Sequence, residues 1–305
     1  MQSFYSQGKL LITAEYLVLD GALALAVPTK LGQSLNVSQT VSPVINWTSI
    51  GHDDKIWYQL RIDQKVGLSG KLDFISDHTN EYSERLIQIF KGIYQLNPSH
   101  FDSKRGYDIE TKLEFPLDWG LGSSSTLINN LAQWAKVNPH DLLKLTFGGS
   151  GYDIACANAK NPILYKLENG IPTVEPSLFD PNFKDYLFFV HLNKKQNSRD
   201  SIIHYRGQRI KDADIDFFSD LTYEMSDSNN LEHFMRLMDL HETRLSEILH
   251  QPKVKDLYFD DFDGSIKSLG GWGGDFILVA SPEAPYEYFR DKGFNTILDF
   301  TEIVL

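Results

Sequence analysis

The chain has 305 residues, 42% of them apolar and 12% aromatic, enough to build a sizeable core and unlike a disordered protein. Its formal net charge of -12 argues against nucleic acid or an anionic membrane surface as the main partner, while a nucleotide needs only a local positive site. One cysteine, Cys156, excludes an internal disulfide, and no apolar run approaches a membrane span or a leader peptide. A cytoplasmic enzyme with no membrane contact is the expectation.

The opening reads as strand-rich. Residues 9–12, 16–19, 22–27 and 32–38 alternate or run apolar, with Asp20-Gly21 as a turn, and 44–48 and 55–62 continue the pattern. Leu86, Ile89, Phe90, Ile93 and Tyr94 recur at helical spacing over 81–96. A strand over 108–115 leads to a Gly- and Ser-rich turn, and a helix is expected over 127–137. Short helices over 139–147 and 152–159 follow, then a hairpin over 163–174 punctuated by Asn161-Pro162 and Asn169-Gly170.

The composition shifts near Asp180-Pro181-Asn182, which divides an N-terminal domain, 1–180, from a C-terminal domain, 181–305. In the second part a strand over 186–192 precedes helices over 199–206, 215–225 and 231–250. A strand over 276–280, a helix over 282–292 and a strand over 295–300 end the chain. Strands and helices without strict alternation point to α+β in both halves.

Gly120-Leu121-Gly122-Ser123-Ser124-Ser125 is the most informative stretch. A turn of this composition opening a helix aims unpaired backbone N–H groups at one spot, where the helix dipole favours an anion. The glycines allow close approach, and the serine hydroxyls can donate to phosphate or coordinate Mg²⁺. A glycine turn with an ordinary N-cap accounts for the same residues equally well. The Lys that closes a P-loop is missing, so this is not that motif.

Four separated segments together resemble the GHMP small-molecule kinases, the superfamily of galactokinase, homoserine kinase, mevalonate kinase and phosphomevalonate kinase. Gly8-Lys9-Leu10-Leu11-Ile12-Thr13-Ala14-Glu15-Tyr16 is similar to the first motif of that family, and Gly120 to Ser125 to its phosphate-binding motif. Gly149-Ser150-Gly151-Tyr152-Asp153-Ile154-Ala155 resembles the segment with the catalytic aspartate, and Gly270-Gly271-Trp272-Gly273-Gly274-Asp275 the third, glycine-rich motif. The resemblance implies a two-domain fold, with an N-terminal domain like domain 2 of ribosomal protein S5 and a ferredoxin-like C-terminal domain. It places the active site in the cleft between them. It also implies ATP- and Mg²⁺-dependent phosphoryl transfer to a small alcohol or phosphate ester. The first motif is most like those of mevalonate and phosphomevalonate kinases. Mevalonate is the first expected acceptor and phosphomevalonate the second; a nucleotide- or metabolite-binding sensor without efficient catalysis is the reading from another class. A homodimer is left open.

The roles of individual residues follow from the same resemblance. Asp153 would accept or orient the acceptor hydroxyl, and Lys9 would hold it ionised across the cleft. Taken alone, Asp153 can be read as a cap of the helix it opens, and a Lys at a strand start is usually a solvated surface residue. Gly120, Leu121, Gly122, Ser123, Ser124 and Ser125 would bind the nucleotide, with Ser124 on the metal. Glu15, Gly151, Tyr152, Lys195, Gly271 and Trp272 would border the substrate, Glu15 supporting Lys9, lining the pocket or capping a turn. Relatives often hold Mg²⁺ with an acidic residue upstream of the aspartate motif, and here 139–148 offers only Asp141. Trp272 stands where the family keeps a small residue; it either narrows the acceptor site or packs in a loop. His233, His241 and His250 recur at intervals that do not share one metal site.

Overall fold

Two long strands, β1 (Gln2–Leu11) and β2 (Ala24–Thr40), carry the chain between its two compact units. The computed structural model describes residues 1–67, 70–196 and 198–305, with 198 and 199 described by backbone alone. The first unit comprises Met1–Gly8, Leu31–Leu117 and Gly122–Asn158; the second comprises Lys9–Lys30, Asp118–Leu121 and Ala159–Leu305.

In the first unit the far half of β2 joins β3 (Val44–Ile50), β4 (Ile56–Val66), β5 (Leu72–Ser76) and β6 (Gly106–Leu113) in the order β5-β4-β3-β6-β2. Trp47 sets the register, lying opposite Leu60 of antiparallel β4 and Ile109 of parallel β6. Helix α1 (Glu81–Leu96) starts at a reciprocal capping box between Asn80 and Ser83. It packs with α2 (Ser123–Ala135) and α3 (Pro139–Thr146), and α4 (Tyr152–Ala157) packs on α2. One core, including Trp47, Ile62, Phe74, Phe90, Ile109, Leu131, Leu142 and Ile154, joins the sheet to these helices.

In the second unit the near half of β2 pairs with β7 (Ile163–Glu168), which pairs in turn with β8 (Ile171–Pro176). A second sheet is antiparallel throughout. Its order is β10-β11-β9-β12, built from β9 (Leu187–His191), β10 (Ser265–Leu269), β11 (Phe276–Ala280) and β12 (Ile297–Asp299). Every residue of β9, β10 and β11 is buried, which explains the near-continuous apolar runs of β9 and β11, while β10 buries Ser265, Lys267 and Ser268 as well. The helices of this unit are α5 (Ser198–Arg206), α6 (Asp212–Ser226), α7 (Leu231–Leu249), α8 (Val254–Tyr258), α9 (Tyr286–Asp291) and α10 (Phe300–Ile303). α7 packs on β10. No helix of the described residues is long and apolar enough to cross a membrane.

The α+β class is borne out, as are the helix over 81–96, the strand over 276–280 and the Asn169-Gly170 hairpin. Three expectations are corrected. Residues 16–19 do not form a strand: Leu17–Asp20 is a 3-10 turn, because a short apolar run carries no periodicity that separates strand from helix. The stretches 22–27 and 32–38 belong to one strand, since Pro28 is accommodated within β2 without ending it. The helix expected from 127 starts at Ser123, so the three serines form its first turn. β5 and β10 were not anticipated: β5 is a short edge strand, and β10, with Ser265, Lys267 and Ser268 among its five residues, shows no apolar run.

Candidate functional site

In the second unit the glycine loop is held from β1. Lys9 Nζ donates to the Gly120 carbonyl at 3.0 Å, and the Lys9 amide donates to the Leu121 carbonyl at 3.0 Å. Gly120 has φ +67, and a Cβ there would stand 2.6 Å from Asp275 Cγ. Glycine is therefore required for backbone conformation and for space alike. Burial raises the Asp275 carboxyl above its usual range, opposed by the Gln196 amide, which donates to Oδ1 at 3.1 Å, and by the charges of Lys9 and Lys195. Asp275 thus joins Lys9 and Gly120 in one cluster. The sequence quoted it only as the end of a motif.

In the first unit the same loop opens α2. Gly122 is the N-cap at φ 88, with no side-chain cap, so the first-turn N–H groups of Ser123, Ser124 and Ser125 point to the helix start. Ser124 is exposed and Ser123 half-buried. The Ser125 hydroxyl, in contrast, is buried and donates to Asp153 Oδ2. Asp153 is the second residue of α4 and does not cap it; the N-cap is Gly151, at φ 85, and Tyr152 is the half-buried first residue. Two segments 28 residues apart therefore meet at one hydroxyl–carboxylate contact. Asp141 is itself exposed, in the first turn of α3. Cys156 is buried, consistent with a small packing residue.

The third motif folds over its own unit. Gly270 and Gly273 take φ 73 and 77, and a Cβ on Gly271 would meet Gln196 Cγ at 2.4 Å. Trp272 is 6% exposed; its amide donates to Tyr16 Oη at 2.7 Å and its Nε1 to the Pro252 carbonyl at 3.0 Å. It is both packed and cavity-lining, because Trp272, Tyr16, Gln196, Ser201, His204 and Gln251 border a 230 Å³ pocket. Lys195 is exposed, and Asn197 lies outside the described residues. Glu15 is buried, and the lysine it pairs with is Lys267, at 2.5 Å. Lys267 and His241, its other partner, were not anticipated as site residues, and no local sequence pattern marks them.

The donors suit a nucleotide and a hard cation. A helix start free of side-chain caps and preceded by left-handed glycines offers unpaired N–H donors of the kind phosphate uses, and the oxygens of Ser124 and Asp153 are of the type Mg²⁺ takes. Among the described residues no three His, Cys, Asp or Glu side chains cluster as metal ligands.

No family model matches the chain, and no curated protein matches it in sequence. Solved structures do. Phosphomevalonate kinase from Streptococcus pneumoniae, in complex with phosphomevalonate and AMPPNP, superposes with a TM-score of 0.70 at 14% identity, over 98% of this chain and 100% of that one. The mevalonate kinase of Methanococcus jannaschii gives 0.66 at 15% identity, over 98% and 97% of the two chains. Galactokinase from Lactococcus lactis, complexed with galactose, gives 0.60 at 14%, over 95% and 88%. Over nearly its whole length, the chain has the fold of the GHMP small-molecule kinases whose motifs its sequence resembles.

Proposed function

We propose that the protein is an ATP- and Mg²⁺-dependent kinase of a small alcohol or phosphate ester, with mevalonate the first acceptor and phosphomevalonate the second. The observation that carries this reading is the Asp153 carboxylate bound by Ser125 in the first turn of a glycine-opened helix. A carboxylate fixed beside a phosphate-accepting helix start is what transfer to a hydroxyl requires.

In this reading the backbone N–H groups of Ser123 to Ser125 bind phosphate oxygens, and the exposed Ser124 hydroxyl serves the metal. Mg²⁺, when bound, neutralises charge on the phosphates. Asp153 takes or orients the proton of the acceptor hydroxyl, and the carboxylate is oriented by Ser125 on Oδ2 and by the Ile154 amide on Oδ1. Lys9 fixes the Gly120 carbonyl and supplies positive charge at the loop. The acceptor is assigned to the pocket bordered by Tyr16, Gln196 and Trp272.

The test is an ATP-consumption screen against mevalonate, phosphomevalonate, homoserine and galactose. Turnover of one of the first two supports the reading. Turnover of galactose alone would overturn the acceptor assignment, and no turnover of any would overturn the enzyme itself.

A further inference from the structure

Four ionisable side chains that the proposed reaction does not use lie together inside the second unit. Glu15, His241, Glu242 and Lys267 are all 2% exposed or less. Lys267 Nζ donates to Glu15 Oε1 at 2.5 Å and to the Ser268 carbonyl at 3.0 Å, and lies 3.9 Å from Glu242 Oε1. His241 Nε2 accepts the Ala14 amide at 3.0 Å and stands 3.2 Å from Glu15 Oε2. Accepting a backbone N–H at Nε2 puts the proton of the neutral ring on Nδ1, which faces Glu242 Oε1 at 3.9 Å. Burial, reinforced by Lys267, drives His241 down to about 4, and burial pushes Glu242 up to about 8. Against its own burial, Glu15 is held below its usual range chiefly by the Lys267 ammonium.

The backbone beside the cluster is unusual. Ala14 has φ 59 and Tyr16 φ 65, two non-glycine residues in the left-handed region within three positions. Such a turn persists only where its surroundings hold it. His241 takes the Ala14 amide, and Lys267 takes the carboxylate of the residue between. The turn in turn presents Tyr16, whose hydroxyl accepts the Trp272 amide at 2.7 Å and whose ring stacks on Tyr205 at 5.5 Å. Tyr16 and Trp272 both border the 230 Å³ pocket. Apolar residues of similar volume usually match or exceed a buried ion pair in stability, so fixing geometry is the better account of this one.

We propose that Glu15, Lys267 and His241 are positioning residues for the acceptor pocket: they hold the 14–16 turn in its left-handed form, and so set the place of Tyr16 and of the Trp272 wall. The inference rests on reading that pocket as the acceptor site.

The test is the double variant Glu15→Gln/Lys267→Met, which removes both charges together and leaves neither unpaired. With the fold retained by circular dichroism, the acceptor KM should rise about tenfold or more while the ATP KM stays parental. In protein labelled with 5-fluorotryptophan, the ¹⁹F resonance of Trp272, assigned through Trp272→Phe, should shift. Tyr16→Phe removes only the hydroxyl that receives the Trp272 amide and should reproduce both changes. A folded double variant with a parental acceptor KM and an unshifted resonance overturns the proposal. If the double variant does not fold, Tyr16→Phe decides, and parental values there overturn it. If the parent phosphorylates no alcohol, the proposed function fails, and the resonance alone decides the positioning.

Discussion

Lys9 holds the Gly120 carbonyl with its side chain and the Leu121 carbonyl with its amide, both at 3.0 Å. One residue of β1 thus secures two consecutive residues of the glycine loop. Lys9→Met keeps the amide bond and removes the ammonium. It should lower kcat by roughly a hundredfold, the scale for loss of one preorganised charge-stabilising donor. Steady-state kinetics on the folded variant check this, and parental kcat would remove Lys9 from the reaction.

Asp153 and Ser125 separate chemistry from orientation. Asp153→Asn keeps the shape and removes the base, so kcat should fall by about a hundredfold or more. Ser125→Ala leaves the carboxylate but frees its Oδ2, and should cost roughly tenfold, the worth of about one hydrogen bond to a charged group. A larger effect from Ser125→Ala than from Asp153→Asn would reverse the two roles.

Gly120→Ala puts a methyl 2.6 Å from Asp275 Cγ at a φ of +67. Strain and clash together should destabilise the protein by about 2 kcal/mol or more, seen as a lower melting temperature. If the clash is the larger part, the same change made in an Asp275→Gly background should cost clearly less. An equal cost in both backgrounds would show that backbone conformation alone demands glycine.

The buried pair Glu242 and His241 gives stability a pH signature. Glu242 is raised to about 8, so the native state holds a proton the unfolded chain has lost, and stability falls as pH rises toward 8. His241 is lowered to about 4, so stability rises with pH up to the unfolded histidine value near 6.5. The two slopes oppose each other below about pH 6.5, and only the Glu242 slope remains between there and pH 8. Thermal unfolding should therefore show a decline across that upper window, and Glu242→Gln should abolish it. A decline that survives in Glu242→Gln would place its source elsewhere.

Much of the local architecture was legible in the chain itself. The helix over 81–96 carries its own period and its own capping residues, Asn80 and Ser83. The hairpin turn at Asn169-Gly170 needs two left-handed residues, and these types supply them, with φ 51 and 78. The glycine loop announced a helix start through Gly120 and Gly122, because few other residues tolerate those angles. Such features depend on neighbours a few positions apart, so a single chain displays them.

What only the tertiary structure decided concerns partners far apart in the chain. Glu15 could support Lys9, line the pocket or cap a turn, and the fold gives it Lys267, 252 positions away. His241 looked like one of three histidines with no shared metal site, and the fold turns it onto the Ala14 amide. Asp275 seemed the end of a motif, and it fills the space that Gly120 leaves open. Charge and hydrogen-bonding capacity are written in a residue's chemistry, but its partner is chosen by which strands and helices pack together. That choice belongs to the burial of apolar surface over the whole unit, and no short window of sequence contains it.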